Sequence, residues 1–433
     1  MKLRNILTGA FALATLVTAA RADVTIYVTG STAFRNGTLD GIKTKFTTGA
    51  SFKFAHDQAS GGVLGSTRSI FQGTFPGIAG TTTIACTFTG SVEGIRAVAA
   101  PGVANNATYL TTAALPAAAA TPAGTEAFST SAPVAAQPAK FAFSDVRSSS
   151  TPVGGGLNPT SPKVGVVVFT PIVNSGAPAA FTNMTSQQFK YLFSNGFVPA
   201  RFFTGNAADT LNVFAAGRND GSGTRTTYMA ESGLGITSLV NQYIVTGLSG
   251  NTVTTLRRVP AGDGTNASTI WAGQDVDGNG GYNTGGTLRG HLNKTSASVT
   301  VLESDNTLLE GPGPILFASF LSISDARTAS LASNAAPARI LGWNGSTLSS
   351  INDAVLANAM NATDRAKVTE GQYSAWGFQN LYYSGSLSTD ENTFYTGLKT
   401  SIDARLTANP TEGLPLSSMH VDRPDDGAPI TIL

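Results

Sequence analysis

The sequence Gly217-Arg218-Asn219-Asp220-Gly221-Ser222-Gly223-Thr224-Arg225 joins a short apolar run, residues 211–216, to a segment with helical character. A glycine-rich turn from a strand into a helix presents unpaired backbone N–H groups and the positive end of the helix dipole. Such a turn suits an anion. Ser222 and Thr224 add hydroxyl donors, and the planar fork of Arg218 matches the oxygens of a tetrahedral anion. A surface turn followed by a capped helix is the alternative interpretation.

The N-terminal residues have the pattern of a secretory signal. Basic residues in Met1-Lys2-Leu3-Arg4 precede an apolar stretch at 6–20 and the small-residue site Ala20-Arg21-Ala22. We expect residues 1–22 to be a cleaved signal peptide, and a mature chain that starts at Asp23. No cysteine stands there to accept a lipid, so the expected location is the periplasm or the exterior. Later stretches fall short of the roughly 20 apolar residues of a membrane span, so the chain is not expected to span a membrane.

Charge and cysteine content exclude several classes of protein. The chain has 27 basic and 26 acidic residues, and without residues 1–22 it keeps 24 basic ones. A nearly neutral chain is not expected to bind nucleic acid. The single cysteine, Cys86, permits no disulfide framework, and its strand-like surroundings predict a buried small side chain. Three scattered histidines suggest neither a metal site nor a Ser-His pair, and no cofactor is expected.

Strand-like runs alternate with helical patterns along the chain, which predicts an α/β fold with mainly parallel sheets. The run 164–170 is the most continuous β pattern and predicts a strand buried on both faces. A capping box at 185–188 predicts a helix start. About 410 mature residues exceed one compact core and suggest two lobes. Residues 57–85 are a Gly/Ser/Thr-rich insertion, and the Ala/Pro/Thr-rich stretch at about 99–138 predicts an exposed insertion or loop.

Four short stretches share one design, because each follows the carboxyl end of an expected strand, where open α/β sheets bind ligands. They are Gly30-Ser31-Thr32, Gly90-Ser91, Ser144-Asp145 and the turn 218–224. Small hydroxyl residues dominate three of them, one supplies a carboxylate and one supplies an arginine. Together they predict a single anion site.

This set resembles the type II periplasmic substrate-binding proteins, and specifically the phosphate-binding component of bacterial phosphate ABC transporters. The motif Arg-x-Asp-Gly-Ser-Gly-Thr carries most of the resemblance, and the other stretches occur in the family's order. The resemblance implies a bilobed type II periplasmic binding protein fold with two mainly parallel-sheet lobes. Hinge crossings are then expected near 164–172 and 311–320. Lobe 1 would comprise 23–165 and 315–433, and lobe 2 would comprise 166–314.

The resemblance also implies which residues bind phosphate: Ser31, Thr32, Ser91, Asp145, Arg218, Ser222, Gly223 and Thr224. Asp220 would support Arg218 without touching ligand, or be a plain turn aspartate. A carboxylate at Asp145 helps only if the ligand carries a proton to donate, as hydrogen phosphate does and sulfate does not. A solvated turn cap is the alternative for Asp145. Val92 and Glu93 depart from the family pattern, and Glu93 must either point away from the anion or pair with Arg96 or Arg147.

The predicted function is an extracytoplasmic solute-binding protein that binds inorganic phosphate, or a similar tetrahedral oxyanion, in the interlobe cleft for uptake by an ABC transporter. The alternative is a secreted structural or surface protein that keeps the fold without a transport role. An enzyme is not expected, since the chain has no G-x-S-x-G elbow and no clustered metal ligands. Asp275, Asp277 and Asn279 resemble the start of a calcium loop, and a glycine-rich loop is the alternative. The aromatic cluster around Trp376 is interpreted as core, with sugar binding as the alternative.

Overall fold

The computed structural model describes residues 23–46, 52–58, 62–102, 105–117, 121, 123–259, 280–352, 360–409 and 413–433. The expected signal peptide, residues 1–22, lies outside the described residues. The calcium candidate Asp275, Asp277 and Asn279 lies outside them as well.

The described residues form strands and helices in alternation. The strands are β1 (Val24–Gly30), β2 (Phe52–His56), β3 (Arg68–Gly73), β4 (Thr82–Thr87), β5 (Ala107–Leu110), β6 (Thr125–Phe128), β7 (Val134–Gln137), β8 (Phe141–Ser144), β9 (Leu157–Asn158), β10 (Lys163–Val173), β11 (Asn183–Met184), β12 (Phe197–Pro199), β13 (Asn212–Ala215), β14 (Tyr243–Ser249), β15 (Thr252–Arg258), β16 (Val299–Leu302), β17 (Leu308–Gly313), β18 (Leu316–Ser322), β19 (Arg339–Ile340), β20 (Gly342–Trp343), β21 (Trp376–Ser384), β22 (Val421–Asp422) and β23 (Thr431–Ile432). The helices are α1 (Arg35–Phe46), α2 (Ser91–Ala99), α3 (Ser186–Asn195), α4 (Arg201–Thr204), α5 (Gly223–Ser232), α6 (Gly285–Leu292), α7 (Ile323–Ser330), α8 (Ala362–Thr369) and α9 (Thr389–Ala408). The fold is α/β, as predicted.

One sheet runs through the molecule in the order β12-β13-β18-β10-β21-β8-β1-β4-β3-β2-β6. Strand β10 joins its two halves, because residues 163–168 pair with β21 whereas residues 169–173 pair with β18. Its valine-rich sequence suits burial on both faces, and all its residues after Lys163 are buried. We call the side with β1–β8 and β21 lobe 1, and the side with β11–β20 lobe 2.

The chain returns to lobe 1 later than the sequence analysis expects. Strand β18 lies parallel to β13 and antiparallel to the second half of β10, which places it in lobe 2. The following β19 also pairs with β10, at Ile172 and Val173. Lobe 1 pairing resumes only at β21, which lies between β10 and β8. The strand pairing therefore keeps residues 316–343 with lobe 2, whereas the sequence analysis assigns them to lobe 1.

Each strand that carries part of the predicted site has at least one parallel neighbour. β1 lies between β4 and β8, parallel to both, and β13 is parallel to β18. β10, β21 and β3 join the sheet antiparallel. A separate four-stranded sheet, β14-β15-β16-β17, extends lobe 2. Since the carboxyl ends of parallel strands open on the same edge, the turns after β1, β4 and β8 are brought side by side.

The Ala/Pro/Thr-rich insertion is only partly the exposed loop expected from its composition. Strands β5 and β7 pair with each other, and β6 extends the central sheet parallel to β2. Tyr109 and Leu110 are 1% and 2% exposed, so this part of the insertion belongs to the core. The composition of the insertion does not reveal this buried part, because two large side chains suffice to anchor a short strand pair on a sheet face.

The two single-residue expectations about the core are confirmed. Cys86 is fully buried and carries a free thiol, and Trp376 is fully buried in the main hydrophobic cluster. Among the described helices, none has the length and apolar character needed to cross a bilayer.

Candidate functional site

Three of the four predicted turns meet at the carboxyl edge of lobe 1. The N–H of Gly90 donates to the carbonyl of Gly30 at 3.1 Å, and the N–H of Ser31 donates to the carbonyl of Phe143 at 2.8 Å. Gly30 has a φ of +121°, and a Cβ there would lie 1.9 Å from the Phe143 carbonyl oxygen. Only glycine permits this close approach. The loops that carry Ser31, Ser91 and Asp145 are therefore fixed against one another.

The fourth turn reaches these three from lobe 2. The carbonyl of Gly221 accepts the N–H of Val92 at 3.1 Å and that of Glu93 at 3.5 Å. These are first-turn donors of α2, which have no partner within their own helix. Gly90 again allows the contact, since a Cβ there would lie 2.3 Å from the Gly221 oxygen. In this closed form the Gly221 carbonyl occupies N–H donors at the start of α2, directly after the predicted anion-binding stretch Gly90-Ser91.

Asp145 lies at the centre of the site and is 1% exposed. Its carboxylate accepts a short hydrogen bond from the Ser91 hydroxyl of lobe 1 and one of 3.3 Å from the Thr224 hydroxyl of lobe 2. Its backbone N–H donates to the Ser91 oxygen at 3.3 Å. Burial raises the pKa of Asp145, and the hydrogen bond from Ser91 and the charge of Arg218 act in the opposite direction. The solvated turn cap considered for Asp145 is thus wrong.

Gly223 begins α5 directly against Asp145. A Cβ at this position would lie 1.7 Å from Asp145 Oδ1 and 2.6 Å from both Cβ and Oγ of Ser91. The side chain of Ser222 caps α5 by accepting the N–H of Arg225 at 3.3 Å. The helix start is therefore packed against the lobe 1 turns.

Arg218 is 2% exposed and is held by backbone carbonyls of lobe 2. Its Nε donates to the carbonyl of Tyr282 at 2.9 Å, and its Nη2 donates to that of Asn283 at 2.7 Å. Burial lowers the pKa of Arg218 to about 10, although the charges of Asp145 and Asp325 counteract this. The guanidinium therefore remains a cation at neutral pH, and its charge acts on Asp145.

Asp220 interacts electrostatically with Arg225 in this structure. Both are buried, and the charge of Asp220 counteracts the burial that lowers the pKa of Arg225 to about 10. The guanidinium of Arg225 in turn donates to the carbonyl of Arg218 at 3.3 Å. Asp220 thus reaches Arg218 through Arg225 and the backbone.

The predicted turn Gly30-Ser31-Thr32 lies beside the contacts made by Asp145. Ser31 is fully buried, and its hydroxyl has no hydrogen-bond partner among the described residues. Thr32 is partly exposed and lines a cavity between the lobes. The structure thus brings Ser91, Asp145, Gly223 and Thr224 into direct contact and places Ser31 and Thr32 beside them.

The two departures from the family pattern have simple structural explanations. Val92 is fully buried and packs with Ile95 and Val146, so an apolar side chain suits that position. Glu93 pairs with Arg96 at 2.7 Å, which supplies the partner that a glutamate at a helix start near an anion site requires. In the described part of the chain, no group of three or more His, Cys, Asp or Glu side chains is placed to hold a metal ion.

Sequence reasoning missed the residues that orient Arg218. Tyr282 and Asn283 act through their carbonyls, which a side-chain motif does not encode, and they lie 64 and 65 residues further along the chain. Arg225 lies next to the motif, but an arginine on a helix start usually faces solvent. Nothing in the sequence marks it as buried.

No protein-family profile matches the chain, and no curated protein matches it in sequence. Solved structures do resemble it. An ABC-type phosphate transport receptor from Vibrio cholerae has 13% identity and a TM-score of 0.40, over 89% of this chain and 97% of that one. A human phosphate-binding apolipoprotein has 14% identity and a TM-score of 0.42, over 91% and 92%. PstS from Borrelia burgdorferi has 9% identity and a TM-score of 0.35, over 90% and 99%.

Proposed function

We propose that this protein binds inorganic phosphate, or a similar tetrahedral oxyanion, between its two lobes. The observation that carries the proposal is the meeting of the four predicted turns around Asp145. Hydroxyl groups from both lobes donate to its carboxylate, and the charge of Arg218 favours its ionised form. A dry site of dipolar donors with one cation suits a small anion that must be released again.

Binding requires the lobes to separate and close again around the anion. The N–H groups of Val92 and Glu93 then exchange the Gly221 carbonyl for anion oxygens, and the hydroxyls of Ser91 and Thr224 turn from Asp145 to the ligand. Hinge motion of this kind is common in binding proteins, and β10 is the shared strand about which it can occur.

Asp145 provides the basis for choosing between anions. Hydrogen phosphate can donate its proton to the carboxylate, whereas sulfate has no proton and leaves two buried negative groups in contact. An unmade buried hydrogen bond costs about 1–3 kcal/mol, and charge repulsion adds to it. The protein should therefore prefer phosphate to sulfate by at least tenfold.

In the transport role, the protein is an extracytoplasmic solute-binding component that delivers its ligand to an ABC-transporter permease. A secreted surface protein without transport is the second candidate. Two contacts that hold the site closed favour this candidate. The Gly221 carbonyl occupies the N–H groups of Val92 and Glu93, and Glu231 of α5 forms a buried ion pair at 2.9 Å with Arg423 near the C-terminus. Phosphate uptake by cells with and without the protein separates the two roles.

Calorimetric titration with phosphate and with sulfate tests the binding site. We expect heat with phosphate, weaker binding of sulfate, and a smaller difference between the anions in Asp145→Asn. Asp403→Asn, at an exposed position of α9, is the matched control and should behave as the wild type. Absence of binding by either anion contradicts the proposal, and equal affinities in the wild type contradict the role of Asp145.

A further inference from the structure

A cavity of about 610 Å³ lies between the lobes. On the lobe 1 side it is lined by the start of α1, with Thr32, Arg35 and Asn36. On the lobe 2 side it is lined by the start of α6 and by α7. Thr32 belongs both to the predicted phosphate site and to the cavity wall, so the two spaces adjoin.

The interactions of Arg218 also relate the cavity to the predicted phosphate site. It donates to the carbonyl of Asn283, which immediately precedes the cavity residue Thr284. Its charge also interacts with those of Arg35 and Asp325, both of which line the cavity. The cavity therefore opens next to the cation of the phosphate site.

The cavity wall is polar and carries few charges. Its charged side chains are Arg35, Arg289 and Asp325, and Arg289 pairs with Asp325 at 3.0 Å. Most other lining side chains are hydroxyls and amides: Thr32, Asn36, Gln58, Thr67, Thr284, Thr287, Ser324 and Thr328. The first turns of α1 and α6 add N–H groups without partners in their own helices. Such a wall offers many hydrogen bonds to hydroxyl groups and little apolar contact.

The volume exceeds what a bare oxyanion of a few heavy atoms fills, and it lies in the range of about 300–1,000 Å³ typical of sites for small organic ligands. We propose that the protein takes a phosphorylated, hydroxyl-rich small molecule of the sugar-phosphate class. The phosphoryl group lies at Arg218 and Asp145, and the hydroxylated part fills the cavity. This inference rests on the proposed phosphate site and names a larger ligand for it.

Gly286 offers a way to fill the cavity without touching the phosphate site. It lines the cavity in the first turn of α6, and a Cβ there meets only the Thr284 hydroxyl, at 3.7 Å. Gly286→Phe should thus be accepted by the backbone. Gly290→Phe is the matched control, because Gly290 lies about one turn further along the same helix, is outside the cavity lining, and has open space at its Cβ.

The experiment is a calorimetric titration with glucose 6-phosphate, inorganic phosphate and glucose. It is run at about pH 5.5, where a phosphomonoester, with a second pKa of about 6, keeps one proton on its phosphoryl group. We expect glucose 6-phosphate to bind at least tenfold tighter than phosphate, and glucose not to bind. Gly286→Phe should weaken glucose 6-phosphate at least tenfold and leave phosphate unchanged, whereas Gly290→Phe should change neither. Asn36→Leu, on the opposite wall, should give the same selective loss.

The possible failures are distinguishable. If phosphate binds but glucose 6-phosphate binds no tighter, or if Gly286→Phe and Asn36→Leu weaken both ligands equally, the cavity ligand is wrong and the phosphate site stands. If neither phosphate nor glucose 6-phosphate binds to the wild type, both proposals are wrong.

Discussion

Substitution of Gly223 by alanine should hold the lobes apart. The new Cβ would lie 1.7 Å from Asp145 Oδ1 and 2.6 Å from Cβ of Ser91, whereas ordinary contacts begin at 3.4 Å. The Asp145 carboxylate can rotate away, but Cβ of Ser91 is fixed to the first residue of α2. The lobes must therefore separate by roughly 0.8 Å at this point, and the hydrogen bonds from Val92 and Glu93 to Gly221 lengthen by a similar amount.

The expected cost of Gly223→Ala is about 1–3 kcal/mol from overpacking, reduced by up to about 1 kcal/mol because alanine favours the helix. Denaturant unfolding measures the stability, and calorimetry with phosphate should show affinity lowered at least tenfold. Gly290→Ala is the control, since a Cβ there has open space in α6 and should stabilise the protein slightly. A Gly223→Ala variant with wild-type stability and phosphate affinity would refute the direct interlobe contact.

Three further predictions concern buried charges and the thiol. Arg423→Gln should lower the free energy of unfolding by about 3 kcal/mol in denaturant titrations, because the nearly buried carboxylate of Glu231 then has lost its cationic partner. An unchanged denaturation midpoint would show that the ion pair does not stabilise the fold. Asp426 has a pKa raised by burial from 3.8 to about 6, so its protonated form favours the fold and this stabilisation is lost as pH rises from about 4 through 6. Asp426→Asn should therefore raise Tm more at pH 8 than at pH 5. The gain in unfolding free energy at pH 8 should be at most about 3 kcal/mol. An equal gain at both pH values would contradict a raised pKa for Asp426. The Cys86 thiol, fully buried and with its pKa raised by burial, should react with a thiol reagent only after unfolding; fast labelling of the native protein would show that the strand opens.

Much of the site could be predicted from sequence because its parts are local. The Thr185 capping box begins α3 as expected, and Ser222 caps α5 within the predicted anion turn. Each site residue follows directly from a strand that its own sequence specifies. Parallel pairing of β1 with β4 and β8 then brings their turns together without further information.

The remaining features depend on contacts between distant segments. The Gly221 carbonyl contacts α2 only because the lobes are closed, and no local pattern encodes that contact. The apolar run of β18 suits a strand in either lobe, so its own sequence does not decide which lobe it joins. Which side it joins is decided by β13 and by the second half of β10.

The position of β21 has a consequence for how the chain folds as it is made. β21 lies between β8 and β10, which are complete long before residue 376 is synthesised. Until residues 376–384 arrive, both strands present open edges that can pair with other chains. The last step in building the lobe 1 sheet is then the insertion of a strand from late in the chain. Chaperones that hold the growing chain apart should therefore matter most before that strand emerges.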